Sequence, residues 1–459
     1  MIRILTLIVA LIAVPLAAET RVPASQAEIG LGFAPLVRQA APAVVNIYAE
    51  RIVQVQTSPF MNDPFFQDFF QGFGQPRPQV TNSLGSGVIL SADGLMVTNY
   101  HVVEEATDIR AVLNDRREFD ARVLLADEES DLAILKLDGA AGMPHLTLRD
   151  SETVEVGELV LAIGNPFGVG QTVTSGIVSG LARSGTASGS SRGYFIQTDA
   201  PINPGNSGGA LVDVNGALIG INTRILTRSG GSNGIGFAIP SALVARFVEQ
   251  AVAGNSRFLR PWAGMNGQPV DTDIAESLGL DTPRGLVISD LHQVSPFLAA
   301  GFQAGDVIVA VGGQPVNTPD EMVFRMTVAG LGNSVPVTRV RGGQAQQVEV
   351  ALIVAPDQPP RAAVVTGERA ALPGMELWSI NPAVLAEIGL PLSVEGVVVA
   401  DPGPAGSRAG LKRGDVLRAI DGAVVADTAQ ATAALDAARR SLTLDVQRGT
   451  QRIVMRFRL

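Results

Sequence analysis

Apolar residues in this chain come mostly in short runs separated by turn-forming pairs, not in long stripes. Val44-Val45-Asn46-Ile47-Tyr48, Ser86-Gly87-Val88-Ile89-Leu90, Leu159-Val160-Leu161-Ala162-Ile163 and Ala217-Leu218-Ile219-Gly220-Ile221 are typical, with Asp93-Gly94 and Asn215-Gly216 as punctuation. Regularly spaced short strands predict a β-sandwich or barrel over residues 28–254. The period then changes. Leu243, Val244, Phe247, Val248 and Ala251 recur at helical spacing, which predicts a helix over 241–253, capped by Ser241 and closed by Gly254. Such a helix would end the first domain.

Past Ser256 a motif occurs twice. Ser295-Pro296-Phe297-Leu298-Ala299-Ala300-Gly301-Phe302-Gln303-Ala304-Gly305-Asp306-Val307-Ile308 returns as Gly403-Pro404-Ala405-Gly406-Ser407-Arg408-Ala409-Gly410-Leu411-Lys412-Arg413-Gly414-Asp415-Val416-Leu417. A glycine turn follows each copy, at Gly312-Gly313 and at Asp421-Gly422. A period of one small domain predicts two similar units, joined by Pro356-Asp357-Gln358-Pro359-Pro360 as a semi-stiff linker. Earlier, six of the 17 phenylalanines fall between Phe60 and Phe73. Burial in its own domain is one reading of so aromatic an insertion; contact with another subunit is the better one.

Candidate chemistry centres on Pro204-Gly205-Asn206-Ser207-Gly208-Gly209-Ala210-Leu211, a small-residue turn leading into an apolar run. A serine hydroxyl attacks a carbonyl only if a base takes its proton and a third group orients that base. His101, in Thr98-Asn99-Tyr100-His101-Val102-Val103, and Asp131, in Ser130-Asp131-Leu132-Ala133-Ile134-Leu135, supply those types in the order His, Asp, Ser. Asp127, Glu128 and Glu129 crowd the acid, so a solvated acidic loop is the bland alternative there. Asp131 is preferred because a following strand would hold its carboxylate rigidly. Gly205 lets the backbone turn so that its N–H and that of Ser207 converge on one oxyanion, and Gly205, Asn206 and Ser207 together are the expected oxyanion residues. Three histidines in all, far apart in the chain, show no metal-ligand spacing, and neither a metal nor another cofactor is expected. Gly164-Asn165-Pro166-Phe167-Gly168 and Gly85-Ser86-Gly87 read as turns rather than phosphate cradles.

The stretches 98–103, 130–137, 162–168 and 198–211 resemble the HtrA (Deg) family of serine endoproteases, in its periplasmic branch. The resemblance implies a mainly β chain: a trypsin-like double β-barrel protease domain followed by two PDZ-like α+β domains. The expected boundaries are 1–18 for a signal peptide, 19–256 for the protease, and 257–355 and 368–459 for the PDZ units. In such a fold Pro201, six residues before the serine, lies at the base of the S1 pocket, which disfavours Lys or Arg. Thr223, Arg224, Ile225, Leu226 and Thr227 would pair with substrate backbone, and Ile225, Ile235 and Phe237 would line an apolar pocket. Arg183 resembles the activation-loop arginine, with a solvated surface arginine as the alternative. Arg260-Pro261-Trp262-Ala263-Gly264-Met265 would be the first PDZ loop for a peptide carboxylate. The second copy has Gly374-Met375-Glu376-Leu377 there, and Glu376 would oppose a carboxylate. The resemblance also implies unfolded or misfolded protein substrates, recognition of peptide C-termini, and a homo-oligomer built on trimers.

Composition narrows this further. A chain of 459 residues has room for three domains, and its net charge of −10 with no basic stripe excludes a nucleic-acid partner. No cysteine is present, which removes disulfides and thiol nucleophiles. Met1-Ile2-Arg3 followed by an apolar run to Leu16 and Ala17-Ala18 has signal-peptide anatomy and predicts export to the periplasm; an uncleaved anchor is the alternative. A rival function is a PDZ-based chaperone or scaffold with a silent protease domain. An esterase fits poorly, because the serine lacks a strand–elbow–helix setting.

Overall fold

The computed structural model describes residues 32–53, 79–165, 170–184, 194–203, 205–225 and 233–458. The expected leader, the Phe-rich insertion, and Leu226 and Thr227 lie outside the described residues.

Twelve short strands form two closed antiparallel barrels. In the first, β1 (Val44–Val53), β2 (Gln79–Ile89), β3 (Leu95–Thr98), β4 (Asp108–Val112), β5 (Glu118–Asp127) and β6 (Leu132–Leu137) close in the order β1-β2-β3-β6-β5-β4. In the second, β7 (Leu159–Gly164), β8 (Thr172–Ser184), β9 (Tyr194–Thr198), β10 (Ala210–Asp213), β11 (Leu218–Ile225) and β12 (Gly236–Pro240) close as β10-β11-β12-β9-β8-β7.

The barrels explain why the apolar runs are unbroken. Along β6, Ala133, Leu135 and Leu137 fill the first barrel, while Leu132 and Ile134 point out of it into a core shared with the second. β7 does the converse, with Val160 and Ala162 inside its own barrel and Leu161 and Ile163 in the shared core. A strand buried on both faces loses the alternation of a half-exposed one. Each fully buried Leu or Ile contributes about 1.5–3 kcal/mol, so the shared core fixes how the barrels sit.

The helix Ser241–Val252 closes this unit, burying Val244, Phe247 and Ala251 in the shared core. Its cap differs from expectation. Pro240 is the N-cap residue and Ser241 is already helical, because the Ser241 hydroxyl donates to the Arg149 carbonyl instead of to its own first turn. Ser151 Oγ takes the Ala242 N–H at 3.1 Å, so a neighbouring loop supplies the cap. Gly254, with φ at +82°, ends the turn.

Each repeat is an antiparallel sheet with helices against it, six strands within 265–351 and seven within 364–458. The repeated Gly-Asp pair has the same job in both. Asp306 accepts from Gln303 N at 2.9 Å and Arg341 Nη2 at 2.7 Å; Asp415 accepts from Lys412 N at 2.9 Å and Arg448 Nη2 at 2.7 Å. Burial pushes the Asp306 carboxyl up, but the bonds from Arg341 and the Gln303 N–H outweigh it and hold it below its ordinary range.

The first repeat docks on the second barrel through its helix Pro319–Ala329. Phe324 stacks on Tyr194 with ring centroids 3.9 Å apart, and Arg325 donates to the Tyr194 hydroxyl at 2.8 Å while pairing with Glu152. Burial, with Glu321 nearby, pushes the Tyr194 phenol up to about 12, so it stays neutral as an acceptor. Phe324→Ala is expected to lose about 3 kcal/mol of docking. Hydrogen exchange would show helix 319–329 exposed while both barrels, β9 included, stay protected; unchanged exchange would contradict this.

Candidate active site

The cleft between the barrels collects the polar candidates. His101 lies in the short helix Tyr100–Val103, directly after β3. Asp131 immediately precedes β6, with φ at +52°, a left-handed conformation that aspartate tolerates better than most residues. Ser207 lies in the turn that leads into β10.

Asp131 and His101 are joined. His101 Nδ1 lies 2.9 Å from Asp131 Oδ1, and the His101 backbone N–H donates to the same oxygen at 3.2 Å. Asn99 Nδ2 donates to the Asp131 carbonyl at 3.0 Å. Thr223 Oγ1 donates to Asp131 Oδ2 at 2.6 Å. Burial pushes the Asp131 carboxyl up, but these hydrogen bonds, His101's first, prevail and hold it below its ordinary range. The acid is therefore ionised at neutral pH and holds His101 by Nδ1, with Nε2 facing away.

Ser207 is linked to this pair through Thr223. Its Oγ donates to the Thr223 carbonyl at 3.0 Å, and no hydrogen bond joins it to His101 in this structure. One rotation about χ1 frees the hydroxyl from that carbonyl. Thr223 thus bridges acid and serine, a role its sequence neighbourhood does not reveal; the expectation assigned it only to a substrate strand.

The turn itself is tightly seated. Gly205 has φ at +93° and Gly208 at +82°. A Cβ on Gly208 would come within 2.1 Å of the Ser86 carbonyl, and one on Gly209 within 2.3 Å of the Ile163 carbonyl, so neither position admits a side chain. Asn206 is buried against Gly164, and its N–H donates to the Asn203 carbonyl at 3.0 Å. That leaves Gly205 and Ser207, whose N–H groups have no acceptor among the described residues.

Other expected residues fall as follows. Thr223 is in β11, which bulges between Asn222 and Arg224. Arg224, Ile225 and Arg183 are described in backbone only, Arg183 lying opposite Phe195 in β8. Ile235 is half-buried; Phe237 is 1% exposed and packs edge-on to Phe195 within the shared core. Arg260 bonds Asp127 Oδ1 at 3.1 Å and Ser130 Oγ at 2.7 Å, so its guanidinium is committed to the turn before Asp131. Trp262 N–H donates to the Ile353 carbonyl at 2.8 Å, and the carbonyls of Ala263 and Gly264 accept from Ser295 Oγ at 2.7 Å and His292 N at 2.8 Å. Met265 begins the first strand of the repeat. Among the described residues no cluster of three or more His, Asp or Glu is placed to hold a metal, and no helix is long and apolar enough to cross a membrane.

Family models match along the chain: a trypsin-like peptidase domain at 85–221, and PDZ domains at 263–352 and 396–448. The periplasmic pH-dependent serine endoprotease DegQ of Escherichia coli (strain K12) is 36% identical over 431 residues, 93% of this chain and 91% of that protein. The chain belongs to the DegP/DegQ family of HtrA-type serine endoproteases. A DegP-like probable periplasmic serine endoprotease of Halomonas elongata is 39% identical over 84% of each chain. Among solved structures, the HtrA-type protease AlgW with decapeptide is 39% identical with a TM-score of 0.52, covering 72% of this chain and 100% of that one. This DegP/DegQ-type protein is a periplasmic serine endopeptidase with PDZ domains, and it binds peptide substrates. A scaffold with a silent protease domain is not favoured.

Proposed function

We propose that Ser207 is the nucleophile, His101 the general base and Asp131 the residue that orients it, with the Gly205 and Ser207 N–H groups stabilising the tetrahedral oxyanion. The observation that carries this reading is the 2.9 Å contact between His101 Nδ1 and Asp131 Oδ1, tied through Thr223 to Ser207. His101 Nε2 takes the hydroxyl proton as Oγ attacks, then returns it to the leaving amine; water resolves the acyl-enzyme by the reverse path. Pro201 in place of an acid, with Ile225 at the end of β11 and Ile235 just before β12, selects small or medium aliphatic P1 residues. The N–H groups of Ala263 and Gly264, without acceptors among the described residues, support capture of a peptide carboxylate by the first PDZ unit. In the second unit, the Glu376 carboxylate takes the Trp378 indole N–H at 2.9 Å, which supports a structural role for that loop.

Misfolded envelope proteins are the substrate class, the assembly is a homo-oligomer built on trimers, and Arg183 transmits activation to the turn. The working units are a protease at 19–256 and PDZ domains at 257–355 and 368–459. One experiment tests nucleophile and pocket together. Peptidyl phosphonates differing only at P1 should label Ser207, with Val faster than Arg by at least about tenfold. Faster labelling with Arg refutes the pocket, and labelling elsewhere refutes the nucleophile.

A further inference from the structure

We propose that Ser86 is the positioning residue of the oxyanion turn. This rests on the reading of Gly205 and Ser207 as oxyanion donors and assigns what holds the Ser207 donor in place. Ser86 belongs to β2 in the first barrel, yet its bonds reach the second. Its N–H donates to the Ser207 carbonyl at 2.8 Å, and its Oγ donates to the Gly205 carbonyl at 2.7 Å. The same Oγ accepts the Asn165 N–H at 2.8 Å, and the Ser86 carbonyl accepts from Thr98 Oγ1 at 2.7 Å. The side chain is wholly buried.

These bonds act on consecutive peptide planes. A peptide unit is planar and trans, so fixing its carbonyl fixes the direction of the N–H across it. Ser86 holds the carbonyls of Gly205 and Ser207, and the Gly209 N–H holds the carbonyl of Asn206 between them at 3.0 Å. The Ser207 N–H lies in that middle plane. Two of these three carbonyl bonds come from this one residue, on the planes on either side of the donor, which the N–H groups of Asn206 and Gly208 also tie to the carbonyls of Asn203 and Asn222. The neighbourhood is built to admit the contact: a Cβ on Gly208 would strike the Ser86 carbonyl, and a Cβ on Gly85 would come within 2.6 Å of Val102. The Gly85-Ser86-Gly87 motif is therefore a seat for the catalytic turn.

Removing the hydroxyl leaves the Ser207 contact through the backbone, but takes the donor from the Gly205 carbonyl, so that plane is held only through the Asn206 N–H to the Asn203 carbonyl. Donor misplacement of an ångström or less lowers rate by up to about 100-fold. The test compares wild type and Ser86→Ala in the full chain by steady-state cleavage of an aliphatic-P1 peptide, affinity for the matching peptide aldehyde, and melting temperature. The expected result is kcat lower by about 10- to 100-fold with KM within about twofold. Aldehyde affinity should fall by the same factor as kcat/KM, because the hemiacetal oxygen occupies the oxyanion position. Unchanged kcat with a lowered melting temperature overturns the proposal, as does a kcat loss with aldehyde affinity retained. If Ser86→Ala does not fold, Ser86→Cys, close in shape but a weaker donor, carries the same comparison. A wild-type enzyme that the aldehyde fails to inhibit would instead overturn the underlying donor reading.

Discussion

Ser207→Ala is expected to lower kcat by about a millionfold and leave the fold unchanged. The Oγ makes one contact, to the Thr223 carbonyl, and lies in a part-exposed turn, so its loss removes chemistry without opening a cavity. The oxyanion donors and the docking surfaces remain, which leaves a residual rate above that of water and intact substrate binding. Casein should therefore stay whole in the presence of the variant while still co-eluting with it. Cleavage by purified Ser207→Ala at more than a thousandth of the wild-type rate would remove this serine from the mechanism.

Asp131→Asn should cost roughly 10³- to 10⁴-fold in kcat. Asp131 Oδ1 receives two donors from His101 and Oδ2 receives the Thr223 hydroxyl. An amide in this place has two settings, both harmful. With NH₂ toward His101 it imposes the wrong tautomer, which puts a proton on Nε2 where the base must be free. With oxygen toward His101 the tautomer survives, but no negative charge stabilises the imidazolium. The carboxylate's pH linkage points the same way: its folded-state pKa lies below the ordinary value, so its stabilisation is complete above the ordinary carboxylate range and is lost as pH falls through the folded value. The variant should accordingly lose less stability on acidification than wild type. A pH–stability scan checks the sign, and kcat within tenfold of wild type would refute the orienting role.

The double barrel was legible because its strands are short, apolar and punctuated by Asp-Gly and Asn-Gly pairs. Continuous runs such as Leu132–Leu137 carry a further message, visible only once Ile134 and Leu135 are seen to enter different cores. Ser241 misled because cap preference is local, whereas the Arg149 carbonyl that captured it lies 92 residues away. The bridge made by Thr223 and the seat made by Ser86 escaped the sequence for the same reason: each works through bonds to residues distant in sequence, and Ser and Thr are too common to stand out. The repeated Gly-Asp was legible as repetition only. Its carboxylates turn inward to arginines on the closing hairpin, so it marks a folding requirement and not a ligand site.

Arg260 has a wider bearing. It opens the segment expected to read peptide ends, yet its guanidinium is bound to Asp127 and Ser130, on the loop whose next residue is Asp131. Modules of this protein are thus not interchangeable parts. A chimera that imports a foreign PDZ cassette beginning after residue 260 keeps the tether, whereas one that begins earlier without an arginine at that place unmoors the hairpin that carries Asp131. Swap junctions are thus constrained by this side chain as well as by the docked helix 319–329.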